Sequence, residues 1–227
     1  MKKAVVVGAT GLVGGHLVNE LVNSGLYEKI HILTRRKTKF NIYPEVTEHM
    51  VDFDNLEAES ALFHGVDDVF VTTGTTMKKA KSKKVFMKVD YTYPLRIAKL
   101  AKEAGATRFL IVSAIGSNPE AAFFYSSVKG KLENALVLLD LPSLHMFRPS
   151  LLTGKREDFR LGERAAEWFS KPLSLLFIGP YEKYKPVQGK YVAIAMYAVA
   201  QQKSSGAHIY ESDKIRKLGK VLSDKNE

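Results

Sequence analysis

At 227 residues, with 34 Lys+Arg against 24 Asp+Glu, 45% hydrophobic residues and no Cys, the chain has an ordinary globular balance and a formal net charge of +10. That balance excludes a disordered chain or a fibre, and the missing Cys excludes disulfides, thiolate zinc sites and a cysteine nucleophile. The basic surplus favours anionic partners, a phosphorylated cofactor or nucleic acid among them.

The apolar run in Met1-Lys2-Lys3-Ala4-Val5-Val6-Val7-Gly8 is too short for a signal segment. No stretch approaches the roughly 20 apolar residues of a membrane span. The expectation is a cytoplasmic protein with no membrane partner. Residues 3–8 read as a buried strand, and residues 12–24 carry Leu12, Val13, Leu17, Val18, Leu21 and Val22 at a helical period, stopped by Gly25. Strands follow at 29–34, 48–52 and 68–73, with a short helix at 55–63 capped by Asp54 or Asn55. Residues 85–103 form a long helical pattern that Pro94 must kink or break. A fifth strand at 108–113, a helix at 125–139 and a sixth strand at 144–147 complete the alternation. This β-α-β-α order predicts an α/β fold, a doubly wound parallel sheet covered on both faces.

After Pro149 the pattern changes. Residues 155–164 are charged and turn-like, 165–177 apolar and aromatic, and 186–201 helical; the tail from Ser212 reads as a short helix fraying into solvent. The region lacks the residues for a core of its own. One Rossmann-type domain over 1–227 is expected, with its core at about 1–150 and a substrate-side lobe at about 151–227.

Gly8-Ala9-Thr10-Gly11-Leu12-Val13-Gly14 directly follows a strand and opens a helix, the context that makes such a triplet a dinucleotide fingerprint. Gly8 serves the turn, Gly11 lets a pyrophosphate approach the main chain, and Gly14 lets the helix pack close to the sheet. The second strand ends in Thr34-Arg35-Arg36. An acidic residue there would bind the ribose of NAD, whereas an Arg accommodates a 2′-phosphate, so NADP is the expected cofactor rather than NAD. Asp52 and Phe53 follow the third strand, where Asp52 can accept from the adenine amino group or cap a helix, and Phe53 can pack on the ring.

Tyr125-Ser126-Ser127-Val128-Lys129, with Ser113 twelve residues before the Tyr, resembles the Ser and Tyr-x-x-x-Lys of the short-chain dehydrogenase/reductase superfamily. The glycine spacing is similar to that of its extended and atypical branches. Thr73-Gly74-Thr75-Thr76, Tyr125 to Gly130 and Arg148 to Arg156 narrow the resemblance to the atypical group related to the human Tat-interacting oxidoreductase-like protein. The resemblance implies a Rossmann fold, a catalytic Ser113/Tyr125/Lys129 set, cofactor contacts at Thr73, Gly74, Thr75, Lys129 and Pro149, and hydride transfer to or from a small carbonyl or alcohol. Many members place an Asn in the fourth helix; here Phe86-Met87-Lys88-Val89-Asp90-Tyr91 contains none. Independently of the resemblance, Tyr125 and Lys129 share one helix face. The ammonium is expected to pull the phenol toward the working range.

Lys78, Lys79, Lys81, Lys83 and Lys84 crowd the segment after Thr76 and read as a solvated, mobile loop or as an electropositive lip for an anionic substrate. Nucleic acid is disfavoured as a partner, because aromatics do not interleave with these lysines. The six His lack metal spacing, and His31 reads as structural. Trp168, Phe169, Leu175, Leu176 and Phe177 suit a substrate wall, core or a contact in a homo-oligomer equally well. A non-catalytic NADP(H)-binding regulator stands as the alternative to an enzyme.

Overall fold

The computed structural model describes residues 1–154 and 179–223. Seven parallel strands form one sheet: β1 (Lys2–Val7), β2 (Tyr27–Thr34), β3 (Val46–Met50), β4 (Asp68–Val71), β5 (Arg108–Val112), β6 (Ser143–Arg148) and a later strand. The short pair β7 (Leu152–Thr153) and β8 (Val187–Gln188) lies apart, and β9 (Gly206–Glu211) supplies the seventh strand. The sheet order is β3-β2-β1-β4-β5-β6-β9, so the direction of winding reverses between β1 and β4. In open parallel sheets that reversal opens a crevice at the carboxyl ends of the strands.

Successive strand residues point to opposite faces, and here both faces are covered, which is why the strands read as unbroken apolar runs. Ala4, Val6, Ile30 and Ile32 pack with Leu17 and Leu21 of α1 (Leu12–Asn23). Val5, Val7, Val69 and Ile111 face the opposite layer, which a 3-10 segment (Phe53–Phe63), α4 (Tyr93–Glu103) and α5 (Phe124–Leu138) build. Between them in the chain lie the short α2 (Met77–Ala80) and α3 (Lys83–Met87). Two later helices, α6 (Gly189–Ala200) and α7 (Ser212–Ser223), join the α1 layer through Val192, Met196 and Ile215. Each fully buried aliphatic side chain of this kind contributes about 1.5–3 kcal/mol.

Three sequence readings change here, and the expected break near Pro94 is met. The segment expected as a helix at 55–63 is 3-10, with Asn55 off helical geometry, and its cap is Asp52, whose carboxylate accepts from the Asp54 N–H at 2.9 Å. The long helix is interrupted by a π-turn over Lys88–Thr92. Pro94 has no N–H to offer the carbonyl of Asp90 four residues earlier, and its ring crowds that carbonyl, so the helix widens there. β9 is a strand the sequence did not announce: it pairs on one edge only, with β6, and carries few apolar residues. The tail helix α7 does not fray but docks, since Ile215 is fully buried and a Cβ on Gly219 would stand 2.5 Å from Tyr191. The turn-like 155–164 and aromatic 165–177 stretches lie outside the described residues.

The amino ends of the strands are tied by a polar network. Asp68, fully buried, accepts from Tyr27 Oη at 2.6 Å and Arg108 Nε at 2.5 Å, and Lys2 Nζ lies 3.3 Å away. Gln201, just after α6, donates to Tyr27 Oη at 3.0 Å. These bonds join β1, β2, β4, β5 and the α1 layer at the end opposite the crevice. A second network fixes β9. His145, fully buried, bonds Ser143 Oγ at 2.8 Å and Tyr210 Oη at 3.1 Å and stacks on His208.

Burial, with His208 and Arg108 adding repulsion, pushes the His145 imidazole down to about 4 from 6.5. The unfolded chain therefore takes up this proton first. Its contribution is present above pH 6.5 and is lost as pH falls from 6.5 toward 4. The size is about 3 kcal/mol. Urea melts across this window should show stability falling with pH. His145→Gln should flatten the slope but leave the part due to His31, which burial also pushes to about 4.

Candidate functional site

β1 runs into Gly8, whose φ of +100° is open only to glycine at little strain. The turn closes with the Gly11 N–H on the Gly8 carbonyl at 2.9 Å, and α1 begins at once. A Cβ on Gly14 would stand 2.1 Å from the Gly8 carbonyl, and one on Gly8 2.7 Å from Thr72 Oγ1. The chain's own packing therefore demands both glycines. A Cβ on Gly11 would meet only the Gly8 carbonyl, at 3.2 Å, and Thr72 O at 4.0 Å. Gly11 is exposed, and no side chain caps the helix it precedes. The first N–H groups of α1 are left for a ligand, at the positive end of its dipole. Leu12 and Val13 are buried and offer the site only their main chain; Leu12 packs on Gly154 and Gly189.

A cleft of about 160 Å³ opens here, between Gly8, Ala9, Thr10 and Gly11 on one side and Thr72, Thr73 and Gly74 on the other. Leu33, Thr34, Arg35, Phe53 and Val89 complete it. It lies where β1 and β4 diverge. Thr73 Oγ1 points inward, buried and without a hydrogen-bond partner. An elongated phosphorylated ligand suits these donors: main-chain N–H groups, an orphaned hydroxyl and a guanidinium. Phe53 is buried with its ring 5.5 Å from that of Tyr93. Arg35 lines the cleft. The carbonyl of Arg36 accepts from Thr34 Oγ1 at 2.7 Å. Asp52 is exposed and occupied as a cap rather than lining the cleft.

Ser113 directly follows β5, 4% exposed, with its hydroxyl 3.0 Å from that of Ser117, which in turn donates to the Ala114 carbonyl. The loop beyond it is pressed onto α5. Asn118 N–H bonds the Ser126 carbonyl, Ser127 Oγ donates to the Pro119 carbonyl, and a Cβ on Gly130 would stand 2.2 Å from Asn118. The Pro149 carbonyl accepts from Ile115 N–H at 3.0 Å, tying the turn after β6 to the same loop. Tyr125, in the first turn of α5, is 40% exposed with its ring edge-on to Phe86 at 5.7 Å. One turn later Lys129 is buried, its Nζ 2.8 Å from Asp90 Oδ1. That is ionic contact without the alignment of a hydrogen bond. The other oxygen of Asp90 accepts from the Thr75 N–H at 2.9 Å.

Sequence reasoning passed over Asp90 and Ser117. The only signal for Asp90 was an acid inside an apolar helix four residues before a proline. Asp90 is one of three influences on Tyr125, after burial and Lys129. Burial pushes the Tyr125 phenol above its ordinary value, Lys129 pulls it back, and Asp90 raises it again. The expected downward pull is outweighed in the protein alone, chiefly by burial and in smaller part by the carboxylate that the ammonium faces. The lysine-rich stretch is not a loop either. Thr76 and Ser82 cap α2 and α3, Ala80 and Phe86 bury beneath them, and Lys83 Nζ lies 5.3 Å over the ring of Phe124.

A family model described as NAD(P)H-binding matches residues 8–137. Protein HTATIP2 of Rattus norvegicus is 35% identical over 170 residues, covering 74% of this chain and 70% of that protein. Protein FMP52, mitochondrial, of Eremothecium gossypii is 31% identical over 225 residues, covering 96% and 97%. Among solved structures, MoeE5 in complex with UDP-glucuronic acid and NAD aligns with TM-score 0.72 at 15% identity, over 98% of this chain and 82% of that one. The UDP-glucose 4-epimerase of Thermotoga maritima aligns at 0.68 and 15% identity, over 98% and 82%. These likenesses show the doubly wound NAD(P)-binding fold. The expectation of a cytoplasmic protein is overturned, because the fungal relatives carry a mitochondrial designation. Among the described residues no helix is long and apolar enough to cross a membrane.

The glycine geometry separates folding from binding. Gly14→Ala should destabilise the fold, since the added carbon would stand 2.1 Å from a carbonyl oxygen. The expected cost is about 1–3 kcal/mol. Gly11→Val should melt near wild type yet lose dinucleotide binding in calorimetric titration with NADPH. Unchanged binding would leave the glycine turn purely structural.

Proposed function

The chain belongs to the NAD(P)H-binding family, in the short-chain dehydrogenase/reductase group with HTATIP2 and FMP52. From that premise we propose that it is an NADP(H)-dependent oxidoreductase acting on a small carbonyl or alcohol, built as one cofactor-binding unit over 1–227. The observation that carries this reading is Tyr125, half-exposed at the start of α5, with buried Lys129 one turn behind it.

The cofactor, when bound, supplies or takes the hydride. The first N–H groups of α1 and the Thr73–Thr75 main chain hold the phosphates and riboses, Phe53 packs the adenine, and Arg35 receives the 2′-phosphate. Ser113 turns its hydroxyl from Ser117 to the substrate oxygen. Tyr125 gives that oxygen its proton as negative charge develops, which is when the interaction strengthens. Lys129 holds the ribose side of the site and keeps positive charge near the phenol. The Ser113–Ser117 hydrogen bond favours one other reading, a cofactor-binding regulator without turnover.

Two measurements test the proposal. In a carbonyl panel assayed with NADPH and NADH in parallel, Tyr125→Phe should abolish turnover while NADPH affinity stays within a few-fold of wild type. Undiminished turnover would remove Tyr125 from the mechanism. Wild type should also bind NADPH more tightly than NADH. A charge-assisted bond to phosphate is worth about 1.5–3 kcal/mol, and exposure of the arginine brings the preference down to about tenfold. Arg35→Ala combined with Arg36→Ala should erase most of that gap at fixed ionic strength. Equal wild-type affinities would sink the assignment.

A further inference from the structure

The mechanism above makes no use of Asp90, although it is the most deeply buried charge beside the Tyr–Lys pair. Its side chain and that of Lys129 are 1% and 3% exposed, with Nζ and Oδ1 2.8 Å apart. The π-turn enforced by Pro94 carries it, and the Thr75 N–H anchors its second oxygen at 2.9 Å. The carboxylate thus joins the lysine of α5 to the loop that borders the cleft. In a site this dry, an ammonium facing a carboxylate has little net field to offer a third group.

We propose that Asp90 is a positioning residue that converts the Tyr125–Lys129 pair into a charge-neutral tyrosine–lysine–aspartate triad, so that the site presents Tyr125 as a proton donor. This rests on the reading of Tyr125 as the acid of a carbonyl reduction. In that step a hydride from the reduced nicotinamide bonds to the carbonyl carbon and the C=O π bond breaks. The phenol proton goes to the oxygen, and solvent then reprotonates the phenolate. The direction found for Tyr125 agrees with the triad: burial and Asp90 raise it and Lys129 opposes them. The other charges around α5 are engaged elsewhere. Glu133, one turn past Lys129, is paired with Arg148 of β6, which also reaches Glu211 of β9. Lys102 of α4 donates to the Leu139 carbonyl at the far end of α5. Lys83 of α3 lies over the ring of Phe124. Lys88 of the π-turn and Tyr93 of α4 bond Asp54.

The test titrates Tyr125 itself, by NMR of protein carrying carbon-13 at the tyrosine phenol carbon, with Tyr125→Phe assigning the signal. It needs neither substrate nor cofactor. Asp90→Asn should lower the Tyr125 midpoint by about one unit or more, because the lysine is no longer cancelled. Lys129→Met should raise it, and Asp90→Glu should keep it near wild type. The combined Asp90→Asn, Lys129→Met variant should return close to wild type, since a neutral pair then replaces a plus–minus pair. A merely structural role predicts damage that adds up instead. The combined variant buries no unpaired charge, so it carries the test even if Asp90→Asn does not fold. An unchanged or raised midpoint in Asp90→Asn overturns the proposal, as does a combined variant more than about one unit from wild type. If the expected pattern appears in a chain that reduces no carbonyl, the triad stands and the enzymatic reading fails.

Discussion

The approach of Gly14 to the carbonyl of Gly8 sets the geometry of everything at the carboxyl edge of the sheet. Only the absence of a side chain lets α1 start against β1, where a Cβ would come within 2.1 Å of the oxygen. That closeness places the unclaimed N–H groups of the helix start directly over the divergence of β1 and β4. It also leaves Gly11 exposed and less crowded than its two neighbours in the triplet, with the Gly8 carbonyl 3.2 Å from where a Cβ would stand. The packing constraint and the binding surface are therefore one feature seen from two sides. The two outer glycines are demanded by the fold, and the middle one stands exposed at the cleft.

The two ends of the sheet treat buried charge differently. At the amino end Asp68 is surrounded by donors: Tyr27, Arg108 and Lys2 all converge on it. Each of these contacts bridges strands, and the arrangement fixes the order of the sheet. At the carboxyl end Asp90 has one charged partner and one main-chain donor, and its Oδ1 has no aligned hydrogen bond. A buried ion pair is weak evidence of stabilisation in itself, because desolvation offsets much of the attraction. Its position between the Thr75 loop and Lys129 gives the better reason for it to be there.

Much of this was legible in the sequence because the signals were local and periodic. The Val5-Val6-Val7 run, the 3.6-residue period of α1 and the glycine spacing each report on a few adjacent residues. They reappear in place. What was not legible depends on partners far along the chain. β9 is a strand because β6 offers it an edge, not because Gly206-Ala207-His208 favours one. The tail helix docks because Gly219 lets it lie against Tyr191, a contact no periodicity within the tail could announce. Asp90 was visible as a residue but not as a partner of Lys129, which lies 39 positions away in another helix. The proline that kinks its helix was read correctly as a break. That the widened turn holds a carboxylate paired with Lys129 required the packing of α5 against it.

The distribution of the excess positive charge follows from where it can act. Arg35 lines the cleft, and Lys78, Lys79, Lys81, Lys83 and Lys84 stand exposed on the turns that pack beside Tyr125. At physiological salt such exposed charges are screened over about 8 Å. They can raise the local concentration of an anionic ligand and steer its approach, but they cannot hold the protonation state of a phenol packed against Phe86. That state is left to the charges water does not reach, which here are Lys129 and Asp90. Under the proposed function, attraction and acid–base chemistry fall to different residues. The rim can carry a large positive charge for binding while the interior stays neutral, and neither requirement compromises the other.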